Sequence, residues 1–145
     1  MTGESTPRIA EILAVLRERN PVGRALGIEA VSASVGRLRA TMPVREDMVN
    51  SRGSCHGGYI FTLGDQAAGW ACMTHNEQAV TQSAHITYVA PAELGEVLTA
   101  DVEELAKSRR GGTYDVRITG GDGRVVALVR CQFAVIGPVI IGGLQ

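Results

Sequence analysis

Apolar residues recur at helical spacing in residues 8–18, RIAEILAVLRE, where Ile9, Ile12, Leu13 and Leu16 share one stripe. The pair Thr6-Pro7 reads as the helix start, and Asn20-Pro21 reads as its end. The stretch GRALGIEAVSASVGRLRATMPV then predicts a short helical turn and two extended pieces around Gly36. In the second piece Leu38, Ala40 and Met42 alternate with Arg37, Arg39 and Thr41, the pattern of a strand with one wet face.

Residues 45–57 carry no period and read as loop. The segment GGYIFTLGDQAAGWACMTH predicts a helix, with Ile60, Leu63, Ala67 and Ala71 on one stripe. Gly64 and Gly69 inside it each cost about 1 kcal/mol against alanine, so tertiary packing must hold it. A nearly uncharged helix rich in Ala and Gly suits close burial, such as a sheet wrapped around it. Beyond residue 78 the period changes to two. AVTQSAHITYVA, EVLTADVEEL, TYDVRITG and RVVALVRCQFAVIG read as four strands in a meander, and Asp122-Gly123 marks a hairpin between the last two. Strands joined by hairpins predict an antiparallel sheet and an α+β fold.

The 145 residues suffice for one domain, expected over 1–145, with the N-terminal helix at 8–18 and a core at about 20–137. A net charge of −1 with mixed signs offers no basic patch for nucleic acid. Apolar runs stay short of the roughly 18 residues of a membrane span. The start lacks a basic region followed by an apolar run, so no secretion signal is expected. Cys55, Cys72 and Cys131 form neither a paired framework nor a C-x-x-C motif, which favours a cytoplasmic protein with reduced thiols. No metal-ligand spacing, phosphate loop, dinucleotide fingerprint or serine elbow is present, so neither metal nor cofactor is expected.

The candidate chemistry lies in NSRGSCHGGYIFTLGD, residues 50–65. A helix beginning near Gly57 or Gly58 leaves its first amides unpartnered, and glycine lets a ligand approach the backbone closely. Such amides make an anion site or an oxyanion hole, with His56 at its lip. Asp65 lies eight residues beyond Gly57, roughly 12 Å along the axis. One reacting carbonyl needs its donor and its attacking group each within about 3 Å. A single helix cannot supply both; two antiparallel copies related by a two-fold axis can. Taken alone, Asp65 also suits a solvated face or a structural bond to a loop, and His-Gly-Gly also suits a tight helix start. Lys107, Arg109 and Arg110, followed by Gly111-Gly112, form a basic hairpin that suits either phosphate binding or a solvated turn. Trp70 and Met73 suit an acyl pocket or the core; Cys72 and Cys131 suit the core.

The motif N-x-x-x-x-x-H-G-G-x-x-x-x-L-x-D-x-A, carried by Asn50, His56, Gly57, Gly58, Leu63, Asp65 and Ala67, resembles the hotdog-fold thioesterases of the phenylacetate-pathway (PaaI-like) type. ITYVAPAELGE (86–96), KSRRGGTYDV (107–116) and VALVRCQF (126–133) fit the same family. The resemblance implies a long central helix wrapped by an antiparallel sheet, a dimer with one continuous sheet and an active site at its interface, and commonly a tetramer. It implies cleavage of acyl-CoA thioesters, with coenzyme A as part of the substrate and aryl-acyl groups such as phenylacetyl or hydroxyphenylacetyl expected. Asp65 would be the carboxylate and Gly57 the helix-start amide. Asn50 would hold water or the carboxylate, and His56 would support the thioester end. A strand hydroxyl would reach the water, Thr81 first and Ser83 second, both read as sharing a face with His85. Gly58, Trp70, Lys107, Arg109, Arg110 and Gly111 would contact substrate. The alternatives are a hotdog enoyl-thioester hydratase or dehydratase, and a non-catalytic acyl-CoA-binding protein.

Overall fold

The computed structural model describes residues 2–142, with side chains from Arg8 onward. Met1 and residues 143–145, which the single-domain expectation includes, lie outside the described residues. Helix α1 (Thr2–Glu18) runs through Pro7, so Thr6-Pro7 is not its start. Pro7 is the sixth residue of this helix, beyond the first-turn donors that lack partners, so it removes one i→i−4 hydrogen bond while the helix continues past it. Asn20 then caps α2 (Pro21–Leu26), accepting from the Gly23 amide at 3.3 Å, with Pro21 in the first helical turn.

Six strands follow: β1 (Glu29–Ser34), β2 (Arg37–Pro43), β3 (Ala79–Tyr88), β4 (Val97–Ser108), β5 (Gly111–Thr119) and β6 (Val125–Val135). Helix α3 (Gly57–Met73) lies between β2 and β3 in sequence and packs against β2 to β6. All pairings are antiparallel, in the order β1-β2-β4-β5-β6-β3. The architecture is α+β, a hotdog-like sheet wrapped around a central helix. The four-strand meander is corrected: only β4, β5 and β6 follow one another, and β3 pairs with β6 at one edge. Alternation fixes which face of a strand is buried and says nothing about its neighbour.

The inner face of the sheet and the buried stripe of α3 form one core that includes Leu38, Met42, Leu63, Trp70, Val116 and Phe133. A Cβ on Gly64 would stand 2.9 Å from Val129 Cγ2, so the glycine lets the helix lie close on the sheet. At the far end of α3, Tyr114 Oη donates to Glu104 Oε2 at 2.6 Å, and His75 Nε2 lies 2.7 Å from the same oxygen. The outer face carries exposed cross-strand ion pairs, Arg39–Asp101 at 2.7 Å and Arg130–Asp115 at 2.6 Å, which contribute little each.

One ion pair does more. Arg124 grips Glu96 with both terminal nitrogens, at 2.8 and 2.6 Å, and donates to the Pro91 carbonyl at 2.6 Å. This ties the loop of residues 91–96 to the β5–β6 turn. The Arg124 hydrogen bond, and after it the Glu93 amide, hold the Glu96 carboxyl down to about 2 from 4.5. A depressed carboxyl pKa contributes stability above the unfolded value that is lost as pH falls through the folded one. Glu96→Gln is therefore expected to lower the urea midpoint at neutral pH, with the gap to wild type closing as pH falls from about 5 toward about 2. A gap independent of pH would show that the charge is not what matters.

Candidate active site

Residues 54–56 enter α3 between two supports. Val49 bridges Cys55 on one side and Glu93 bridges Ser54 on the other. The Cys55 amide donates to Ala92 O at 2.8 Å and the His56 amide to Met48 O at 2.7 Å. Asn50 organises the preceding loop: its Oδ1 accepts from the Arg52 amide at 2.9 Å and the Ser54 amide at 3.3 Å. Its side-chain oxygen therefore serves the loop, which leaves Nδ2 for other work.

His56 is the N-cap of α3. Its Nδ1 accepts from the Gly58 amide at 3.1 Å, and its carbonyl accepts from the Tyr59 amide at 3.0 Å. An accepting Nδ1 carries no proton, so the neutral ring holds its hydrogen on Nε2. Among the described residues the Gly57 amide has no acceptor. It is the free donor at the positive end of the helix dipole. Gly57 has a reason beside the expected one. A Cβ there would stand 2.8 Å from Tyr88 Cζ, whereas a Cβ on Gly58 would make only ordinary contact with His56 Nδ1 at 3.4 Å. The space at residue 57 is filled by the Tyr88 side chain, and Tyr88 Oη donates to Gly57 O at 2.8 Å.

Asp65 sits half-buried on α3, and Thr81 Oγ1 donates to its Oδ1 at 2.7 Å. A β-bulge makes this contact. Thr81 pairs with Phe133 and Ser83 with Gln132, leaving Gln82 unpaired. The extra residue turns Thr81 inward with Ala84, Ile86 and Tyr88, while Ser83, His85 and Thr87 face outward. The expectation that Thr81 and Ser83 share a face with His85 is thus corrected. A bulge reverses the alternation on which that reading depended. Thr81 reaches Asp65; Ser83 lies with His85, Arg130 and Gln132 on the outer face.

Residues 52–127 match the family model of the thioesterase superfamily. The chain is 34% identical over 125 residues to acyl-coenzyme A thioesterase PaaI of Escherichia coli strain K12, covering 86% of this chain and 89% of that one. The chain belongs to the PaaI-like hotdog-fold thioesterases. The solved structure of the E. coli PaaI protein from the phenylacetic acid degradation operon superposes with a TM-score of 0.89 at 30% identity, covering 95% of this chain and 97% of that one. A Streptococcus mutans protein solved with bound acetyl CoA superposes with a TM-score of 0.74 at 31% identity, over 77% of this chain and 90% of that one.

The thioesterase's other candidate residues fall into two groups. Trp70 is 2% exposed and belongs to the core, because the stripe that carries it faces the sheet. Lys107 Nζ lies 2.8 Å from Glu77 Oε1, and its side chain is 15% exposed. The contact is an ion pair whose angle falls outside hydrogen-bond geometry. Lys107 thus carries an acidic partner within its own chain, which, among the described residues, Arg109 and Arg110 do not. Arg109 and Arg110 form the exposed turn between β4 and β5, and neither guanidinium has an ion-pair partner among the described residues. Arg110 and Lys107 line a shallow cavity of about 300 Å³ that Gln82 and Gln132 also border; Arg109 does not line it. A Cβ on Gly111 would run into the Phe133 carbonyl, so strand approach explains that glycine. A concavity of about 820 Å³ lies on the outer face among the ion pairs, and neither Gly57 nor Asp65 lines it.

The three cysteines are free and buried, and Cys72 and Cys131 lie in the core. Among the described residues no group of three His, Cys, Asp or Glu is placed to hold a metal, and no helix is long and apolar enough to cross a membrane. Sequence reasoning missed Tyr88, the third residue of ITYVAPA and the last of β3, whose hydroxyl meets Gly57 O.

Proposed function

We propose that this thioesterase hydrolyses acyl-CoA thioesters, with aryl-acyl groups of the phenylacetyl type as its preferred substrates, at two equivalent sites of a cytoplasmic homodimer that assembles further into a tetramer. The carrying observation is the Thr81–Asp65 hydrogen bond of 2.7 Å, which aims a half-buried carboxylate from an otherwise uncharged helix. Two further features support the dimer. Gly57 and Asp65 lie on one helix, separated by roughly 12 Å, and β3 has a partner on one edge only. Pairing β3 with its copy extends the sheet and brings Gly57 toward Asp65 of the partner subunit.

In this reading the thioester carbonyl oxygen faces the Gly57 amide. Asp65 of the partner subunit takes a proton from water, and the hydroxide adds to the carbonyl carbon. The charge on oxygen is held by the amide and the helix terminus. Collapse restores the carbonyl and expels the coenzyme A thiolate, a fair leaving group that needs no strong acid. Thr81 holds the carboxylate, His56 fixes the helix start, and Asn50, whose Oδ1 serves its own loop, is assigned to water or the carboxylate through Nδ2. The names of E. coli PaaI and its operon favour phenylacetate-type substrates.

Free-thiol release from a panel of aryl- and alkyl-CoA esters tests the substrate class: kcat/KM highest for arylacetyl esters supports it, and equal values across the panel refute the preference. Arg109 and Arg110 are assigned to the phosphates of coenzyme A. Replacing both with Ala is expected to raise KM for a CoA ester about tenfold while kcat changes less than about twofold. The same substitutions should leave a truncated pantetheine thioester unaffected; equal effects on both substrates would remove the arginines from phosphate binding.

A further inference from the structure

We propose that Tyr88 is a positioning residue of the thioesterase reaction, its hydroxyl fixing the Gly57–Gly58 peptide and, through the torsions at the Gly57 Cα, the direction of the neighbouring Gly57 amide donor. The inference rests on the reading above, in which that amide holds the carbonyl oxygen. Tyr88 Oη donates to Gly57 O at 2.8 Å, and that carbonyl belongs to the first turn of α3. The phenol reaches so far in because residue 57 has no Cβ. The ring is 50% exposed in the single chain, more than core packing would leave. Burial, and after it Cys55, raise the Tyr88 pKa above the usual phenol value, so the hydroxyl remains a donor throughout the working range.

The strand explains why this contact and the Thr81–Asp65 contact exist together. Thr81 and Tyr88 are seven residues apart, an odd separation that puts them on opposite faces of a regular strand. The bulge at Gln82 brings both to the inner face. One strand thereby holds the carboxylate at one end and the helix-start peptide at the other. In the dimer these two groups serve different sites, so each copy of β3 supports both.

The test compares Tyr88→Phe with wild type and with Asp65→Asn. Tyr88→Phe keeps the ring and removes only the hydrogen bond. It is expected to lower kcat about tenfold with KM within about twofold and Tm nearly unchanged. The backbone amide NMR peaks of Gly57 and Gly58 are expected to move. Gly57→Ala is the second variant: it keeps the amide hydrogen but displaces the phenol, and should move the Gly58 peak and give a similar kcat loss. Wild-type kcat in Tyr88→Phe, or unmoved glycine peaks, would overturn the assignment. So would a fall in Tm with kcat retained, which is the mark of packing alone. If Asp65→Asn is inactive while Tyr88→Phe turns over normally, only the Tyr88 role fails. If Asp65→Asn turns over normally, the site reading fails and the Tyr88 role with it.

Discussion

Asp65→Asn is expected to reduce kcat by about 10²- to 10⁴-fold, the range associated with losing a general base. The substitution nearly preserves shape. The asparagine oxygen can still accept from Thr81, which now donates at 2.7 Å to the aspartate. No other ion pair is broken, because Asp65 has no cationic partner among the described residues. Placing a neutral amide in a half-buried site on an apolar helix does not demand the desolvation of a charge. Stability should therefore hold or rise while turnover collapses, and KM should change little. Single-turnover hydrolysis in oxygen-18 water separates the two routes open to the carboxylate. Label appearing first in the acid product supports the general base, and label in the enzyme carboxylate indicates direct attack. Turnover within about tenfold of wild type would remove Asp65 from the chemistry.

The second large effect is expected from Gly57→Pro, which deletes one amide hydrogen. Residue 57 is the first helical position of α3, where proline is well accommodated. His56 has φ −60° and ψ 136°, already in the extended region that a following proline requires. Losing one oxyanion donor lowers kcat by about 10²- to 10³-fold. The proline ring meets Tyr88, whose Cζ would be 2.8 Å from a Cβ at this position. Gly57→Ala supplies the same crowding with the hydrogen retained, and the excess loss in the proline variant measures the donor itself. Coenzyme A binding should persist in both. Equal kcat values for the alanine and proline variants would show that the amide hydrogen takes no part.

Much of this was legible in the sequence. Period two fixed the inward residues of β2, because Leu38, Ala40 and Met42 are all buried. The small, uncharged composition of α3 signalled a helix enclosed by a sheet, and Gly64 against Val129 shows why glycine is there. Spacing alone raised the question of Gly57 and Asp65. Other features had no local signature. Which strand neighbours β3 depends on packing across the whole sheet, so the meander reading failed at that point. The bulge at Gln82 leaves no mark in composition, and it alone decides that Thr81 rather than Ser83 meets Asp65. The pairing of Lys107 with Glu77 joins residues far apart in sequence, so no local pattern announces it. Trp70 looked equally suited to pocket or core because both are apolar.

A subunit-mixing experiment tests most directly whether the active site is assembled from two chains. Asp65→Asn and Gly57→Pro homodimers, each nearly inactive, are mixed under conditions that exchange subunits, and thioester hydrolysis is followed as heterodimers form. In a heterodimer both defects fall in one site and the other is intact, so activity should rise toward about a quarter of wild type at full statistical exchange. If exchange is complete by mass and the mixture stays as inactive as its parents, Gly57 and Asp65 do not meet across the subunit boundary.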